Sequence, residues 1–257
     1  MKRIAQLTSA TIIFLWVTLM LSAGTALTKT GTAEPSDDAV KTVLEQRLTK
    51  YGLLQGNNIQ ISVANGIVTL KGTVRSLDNK DKAAKYAHEV EDSYTIDNQL
   101  AIQVNNLSDQ QIADSVMHEI NNYVLYSIFD WVEVQVKDGV VTLNGWVYES
   151  WHKMGYEKQA RKAPGVLQVI NNLQELPVSF TDDHLRHQAA DVIYDDAFLY
   201  KYAYGEVPTI HIIVNLGVVT LKGMVDTKYD ADRATSLVNY RTDAFSVVDD
   251  LQFKSIK

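Results

Sequence analysis

The sequence predicts an α+β protein built from three tandem modules, each ordered helix, strand, strand, helix, strand. Two observations carry that prediction. A nine-residue phrase occurs three times, as G-I-V-T-L-K-G-T-V from Gly66 to Val74, G-V-V-T-L-N-G-W-V from Gly139 to Val147 and G-V-V-T-L-K-G-M-V from Gly217 to Val225. The copies begin 73 and 78 residues apart, the scale of a small domain rather than of a short solenoid repeat. Around each copy, apolar residues switch between the helical period and strict alternation in the same order. Two helices are expected on one face of a three-stranded mixed sheet.

The chain opens with a targeting pattern. Lys2 and Arg3 precede an apolar run from Ile12 to Leu21 and then Ser22, Ala23, Gly24, Thr25 and Ala26. Residues 1–26 read as a secretory signal cleaved near Ala26. The run is short for a spanning helix, which needs about 20 residues, and an uncleaved anchor is the alternative. No later stretch is apolar enough to span a bilayer. Residues 27–36 form a polar linker with Gly31 and Pro35.

The first module, 37–105, starts at Asp37 and Asp38, acids suited to a helix N-terminus. Val40, Val43, Leu44 and Leu48 follow at helical spacing. Ile59, Ile61 and Val63 alternate as a half-buried strand, and Asn65-Gly66 is a strong signal for a two-residue hairpin turn. Val68, Leu70 and Val74 return on the core face, with Gly72 placed to let a helix pack closely. A helix over 78–90 and a strand over 96–104 complete the module.

The second module, 108–178, repeats the order. Ser108 and Gln111 form a capping-box pair, Val132, Val134 and Val136 alternate, and Asp138-Gly139 turns. Val141, Leu143 and Val147 face the core with Gly145 in the place of Gly72. A helix over 150–162 stops at Pro164-Gly165, and the last strand lies within 166–178. The third module, 181–257, has Leu185, Ala189 and Val192 on its first helix. Ile210, Ile212 and Val214 alternate before the turn at Gly217, and Gly223 follows on the return strand. A helix over 229–240 and a strand over 244–253 end it. Gly66, Gly72, Gly139, Gly145, Gly217 and Gly223 are thus read as turn and packing positions. The pairs Asp97-Asn98, Asn171-Asn172 and Asp249-Asp250 align at the last strands and read as turn residues.

Composition limits the functions. The absence of cysteine removes disulfides, thiolate metal sites and thiol nucleophiles, and suits folding in a periplasm. The formal charge is −7, and loss of Lys2 and Arg3 with the signal makes the mature chain more acidic still. That balance disfavours nucleic acid, whose binding rests on Lys and Arg neutralising phosphates. No G-x-S-x-G, phosphate loop or nucleophile–base set is present. No cofactor or metal is expected: His184 and His187 stand at i, i+3 without a clear third ligand and read as a solvated helix face. His211 aligns with Gln60 and Glu133 on the non-core face and reads as a surface residue.

These modules resemble the BON domain. The resemblance rests on the helix, the alternating strand, the N-G or D-G turn, V-T-L-x-G-x-V and the helix–strand finish. It covers roughly 37–104, 109–178 and 182–256. The family is named for an osmotically induced periplasmic protein and for nodulation proteins. The resemblance implies a non-enzymatic, exported envelope protein that binds phospholipid or mediates envelope interactions and supports the envelope under osmotic stress. The chain departs from the pattern in two ways. The family's Gly-Val before the final strand is kept only as Gly165-Val166, with Ser93-Tyr94 and Ala244-Phe245 in the other copies. The third turn carries Leu216.

Where the copies differ, the second module is the most unusual. Trp146 replaces Thr73 and Met224 on the outward face, with Tyr148 beside it. Trp151 begins the next helix, which bears Lys153, Lys158, Arg161 and Lys162 against Glu157. Aromatic rings beside cations suit a lipid headgroup interface, so these residues form a candidate surface for anionic phospholipid. The competing reading packs Trp146 against a neighbouring module. The third module carries about five extra residues with Tyr194, Phe198, Tyr200, Tyr202 and Tyr204. They are expected to form a pad against another module; the alternative is a ligand-facing loop. Envelope proteins are the other candidate partners, with the chain acting as a periplasmic chaperone-like adaptor without lipid binding.

Overall fold

The computed structural model describes residues 35–103, 106–204 and 208–254. The expected signal and the linker to residue 34 lie outside the described residues. The first module contains α1 (Asp37–Lys50), β1 (Asn58–Ala64), β2 (Ile67–Val74), α2 (Leu77–Val90) and β3 (Thr95–Ile102). The second contains α3 (Asp109–Asn121), β4 (Trp131–Lys137), β5 (Val140–Val147), α4 (Ser150–Ala160), β6 (Gln168–Asn171) and β7 (Gln174–Glu175). The third contains α5 (Phe180–Tyr194), a 3-10 turn (Tyr200–Ala203), β8 (Ile210–Asn215), β9 (Val218–Val225), α6 (Lys228–Arg241) and β10 (Ser246–Phe253).

The expected α+β order therefore holds in all three modules. Side-chain caps start five of the six α-helices among the described residues: Ser36, Ser76, Ser108, Ser179 and Thr227 each accept a backbone N–H three residues on. Ser108 and Gln111 make the full reciprocal capping box, which satisfies two N–H groups the helix itself leaves free. The last strand of the second module is interrupted, so that β5 pairs first with β6 and then with β7.

The repeated phrase forms the central strand of every sheet. β2, β5 and β9 each run antiparallel to the preceding strand and parallel to the last one. Their inward side chains (Val68, Leu70 and Val74; Val141, Leu143 and Val147; Val219, Leu221 and Val225) are buried in the core of the same module, giving one core per module.

Two details of the phrase differ from the sequence reading. At Gly72, Gly145 and Gly223 the backbone takes φ of +111, +127 and +119°. An added Cβ would overlap the carbonyl oxygen of Asn58, Trp131 or Thr209 on the neighbouring strand. Glycine is therefore required by the backbone of the adjacent strand and not by a helix. Asn98, Asn171 and Asp249 of the Asp/Asn pairs lie in strands rather than turns, but each keeps the expected local bond, accepting from the backbone N–H two residues on, at 3.1–3.2 Å. Leu70, Leu143 and Leu221 pair with Asn98, Asn171 and Asp249, one residue off the sequence alignment in the first copy. The Asn98 and Asn171 amides donate to the carbonyls of Lys80 and Lys153, at 3.1 and 2.9 Å, and so clamp strand to helix.

Each hairpin turn is held by an acid from the first helical turn. Asp37 accepts from Asn65 N, Asp109 from Asp138 N and Gly139 N, and Asp182 from Leu216 N and Gly217 N, at 2.8–3.2 Å. These acids therefore do more than complement a helix dipole. Both central residues of each turn are left-handed, including Leu216 at φ +50°. That conformation is unfavourable for a bulky side chain.

Candidate functional site

The sequence-predicted surface of the second module is divided among three environments. Trp146 lies on β5 opposite Trp131, facing away from the second core and toward the third module. It lines a cleft of about 240 Å³ with Leu176, Ile213, Val218, Asn215 and Thr220. Lys222 of β9, only 12 % exposed, lies over the rings of Trp131 and Trp146 at 5.4 and 5.8 Å. It also bridges to Glu133 at 3.6 Å and to Asp250. The outward faces of the second and third sheets thus meet here, as the competing reading of Trp146 had it.

Tyr148 is also directed at the third module. Its ring carries the buried Arg186 guanidinium at 4.7 Å and touches Phe129 edge-on. Burial, followed by the nearby Asp183 carboxylate, raises its phenol pKa.

Arg161 turns the other way, to the first module. Its guanidinium pairs with Asp81 of α2, and its carbonyl accepts from Asp78 N at 2.9 Å. Lys162 is half-buried and bonds the Gln159 side chain.

What remains open is one stripe of α4. Trp151 is 50 % exposed and Met154 72 % exposed, and Lys158 is exposed as well. Their i, i+3, i+7 spacing places them on one helix face. Lys153 is half-buried beside it, and neither Lys153 nor Lys158 has an ion-pair partner among the described residues. Gly155 has a local reason: a Cβ there would meet the Tyr123 hydroxyl at 2.6 Å.

Beneath this stripe lies a polar network that the sequence did not disclose. Asp130 is fully buried. Its carboxylate accepts from Tyr148 N at 2.6 Å and Tyr156 OH at 2.5 Å, and bonds His152 Nδ1 at 2.6 Å. Burial raises the Asp130 pKa, against the opposing effect of these bonds. Burial, and then the Asp130 charge, raise the phenols of Tyr156 and Tyr126 well above their ordinary range. An Asp–His pair could orient a base, but no Ser or Thr hydroxyl bonds His152 among the described residues. The cluster has the geometry of a satisfied structural network.

His211 corrects the surface expectation. It is 4 % exposed, its Nδ1 bonds the Asp130 carbonyl at 2.7 Å, and its Nε2 lies 3.1 Å from Tyr126 OH. A usable signal was present: Ile210-His211-Ile212-Ile213-Val214 is apolar on both faces apart from the histidine, and such a strand is covered on both sides. The aromatic pad also differs from expectation. Tyr194 OH bonds Ile210 O and Tyr202 OH bonds Asp230, both within the third module. Phe198, Tyr200 and Tyr204 are exposed. Asp196 is held by the Arg233 guanidinium, which lowers its pKa to about 2. Among the described residues, no group of three or more His, Asp or Glu side chains could hold a metal ion. No helix there is long and apolar enough to cross a membrane.

The BON domain model matches residues 36–104, 108–177 and 199–255. The chain belongs to the BON domain family. The third match opens after α5, although Leu185, Ala189 and Ile193 of α5 belong to the third core. No curated protein sequence matches the chain. Among solved structures, the C-terminal domain of CdsD, a structural protein of the type III secretion system of Chlamydia trachomatis, is 11 % identical. That alignment covers 82 % of this chain and 96 % of that one, with a TM-score of 0.25. The PrgH periplasmic domain is 10 % identical, over 80 % and 100 %, with a TM-score of 0.22. Likeness at this level carries no functional argument.

Proposed function

We propose that this BON protein is a non-enzymatic, exported component of the cell envelope that binds anionic phospholipid through α4 and supports the envelope under osmotic stress. The observation that carries the reading is the exposed stripe of Trp151, Met154 and Lys158. An indole and a thioether can enter the headgroup boundary, while Lys158, with Lys153 and Lys162 beside it, meets phosphates. Trp146, Tyr148 and Arg161 have other partners and serve the lipid site only by fixing α4 between its neighbours. In an acidic chain, an attraction this local is expected to weaken steeply with salt.

Flotation of the mature chain, residues 27–257, tests the reading. The protein is expected to float with phosphatidylglycerol-containing vesicles at low salt and to remain below with phosphatidylcholine alone. Failure to float with either would end the lipid reading.

The exposed aromatic group of the third module favours a second reading. Phe198, Tyr200, Tyr204, Tyr229 and Tyr240 are all exposed, with Arg233 against the Phe198 ring at 4.6 Å. Aromatic and Arg side chains are enriched at protein interfaces. A periplasmic adaptor using this face would crosslink to envelope proteins and show no vesicle association.

A further inference from the structure

The segment from Tyr126 to Trp131 is the joint between the second and third modules. It leaves α3, and Ile128 and Phe129 pack against the third core. Ile128 O accepts from Ile212 N at 2.8 Å, capping the outer edge of β8. Three histidines from three elements surround it. His152 of α4 bonds the Asp130 carboxylate, His211 of β8 bonds the Asp130 carbonyl, and His187 of α5 meets the Phe129 ring at 5.5 Å.

The position of His211 fixes the tautomer of its neutral ring. The Asp130 carbonyl can only accept, so Nδ1 carries a hydrogen, and in the neutral ring Nε2 accepts from Tyr126 OH. The ring edge packs on Trp131 at 5.2 Å. A second ring proton would deprive Tyr126 OH of its acceptor, and burial outweighs the Asp130 and Ser127 carbonyls that favour the charged ring. That proton would also add a positive charge beside Lys222, the cross-strand partner of His211. Among the described residues, the carboxylates nearest the ring are already engaged. Glu133 and Asp250 are engaged by Lys222, and the Asp130 carboxylate by Tyr148 N, His152 and Tyr156. From α5, Arg186 is a further cation at the joint, and Tyr194 is bonded to Ile210 O.

We propose that this joint is an acid-operated latch: neutral His211 holds the second and third sheets face to face, and its protonation releases the aromatic face of Trp131 and Trp146. Burial already lowers the His211 pKa from 6.5 to about 4. A base with a depressed pKa in the closed joint favours closure fully above pH 6.5. That contribution is lost as pH falls toward 4 and is gone below it. Asp130, raised by burial, takes up a proton more readily in the closed joint and works in the opposite sense. The His211 contribution is therefore isolated by substitution.

The test is hydrogen exchange on the mature protein at pH 7.5 and 5.0, corrected for intrinsic rates, with acrylamide quenching of tryptophan emission in parallel. Opening of residues 126–131 and 210–215 is expected to rise roughly 30-fold on acidification, less whatever Asp130 offsets. His211→Gln should abolish most of that rise, whereas His187→Gln, at an exposed position, should keep it. If His211→Gln is open at both pH values, an NMR titration of the wild-type His211 ring decides, because its midpoint must lie below 6.5 and track the exchange. An unchanged acid response in a folded His211→Gln protein, or flat wild-type exchange between the two pH values, overturns the latch.

Discussion

Replacing Gly72 by alanine perturbs the first module at a position where two costs add. The backbone there has φ +111°, a conformation that costs a non-glycine residue about 1–3 kcal/mol. The new Cβ would also overlap the Asn58 carbonyl oxygen, so β1 must move away at its first residue. Losing one ladder hydrogen bond there costs about 1 kcal/mol more. The expected destabilisation is about 3 kcal/mol, comparable with the whole stability of a 70-residue core, roughly 3–5 kcal/mol. The described tryptophans all lie in the second module, so their emission does not report on the first. Urea unfolding followed by far-UV circular dichroism, with hydrogen exchange of residues 37–103, does. Gly66→Ala is the control: φ is +73° but nothing lies within 4 Å of the added Cβ, so its cost should stay near 1 kcal/mol. A Gly72→Ala cost below 1 kcal/mol, or one equal to that of Gly66→Ala, would refute the strand-contact argument.

Two further substitutions probe the third turn by the same unfolding measurements. Asp182→Ala removes the acceptor of both Leu216 N and Gly217 N and should cost about 2–3 kcal/mol; a loss under 0.5 kcal/mol would show that the acid does not hold the turn. Leu216→Asn replaces a left-handed leucine that is 77 % exposed and should stabilise by about 0.5–1 kcal/mol, since asparagine tolerates this conformation.

The module was legible because its signals are local. Asn65-Gly66 and Asp138-Gly139 announce two-residue turns, and alternation assigns Val141, Leu143 and Val147 to a core face. Ser108 with Gln111 is a helix start that needs no tertiary information. Contacts between modules were not legible in the same way. Alternation separates the core face from the other face but does not say what covers the second one, so His211 read as surface and Trp146 stood between two readings. Arg161 and Asp81 are 80 residues apart, and nothing in either local pattern joins them. The second glycine of the phrase marks a close approach, but the approaching group is a strand carbonyl whose position only the pairing register defines. The lipid-surface candidates formed one list in sequence because they are neighbours along the chain. In space, a central strand and the two ends of a helix send them to two module joints and one open stripe.

That division supplies the most direct measurement of the central claim. Flotation with phosphatidylglycerol vesicles compares the wild-type mature chain with Trp151→Ala/Met154→Ala/Lys158→Glu and with Trp146→Ala, at a neutral pH where the joint is closed. Binding is predicted to fall at least tenfold in the triple variant and to change less than twofold in Trp146→Ala. Wild-type flotation by a folded triple variant, or loss of binding through Trp146→Ala alone, would contradict the assignment of the lipid surface to the open stripe of α4.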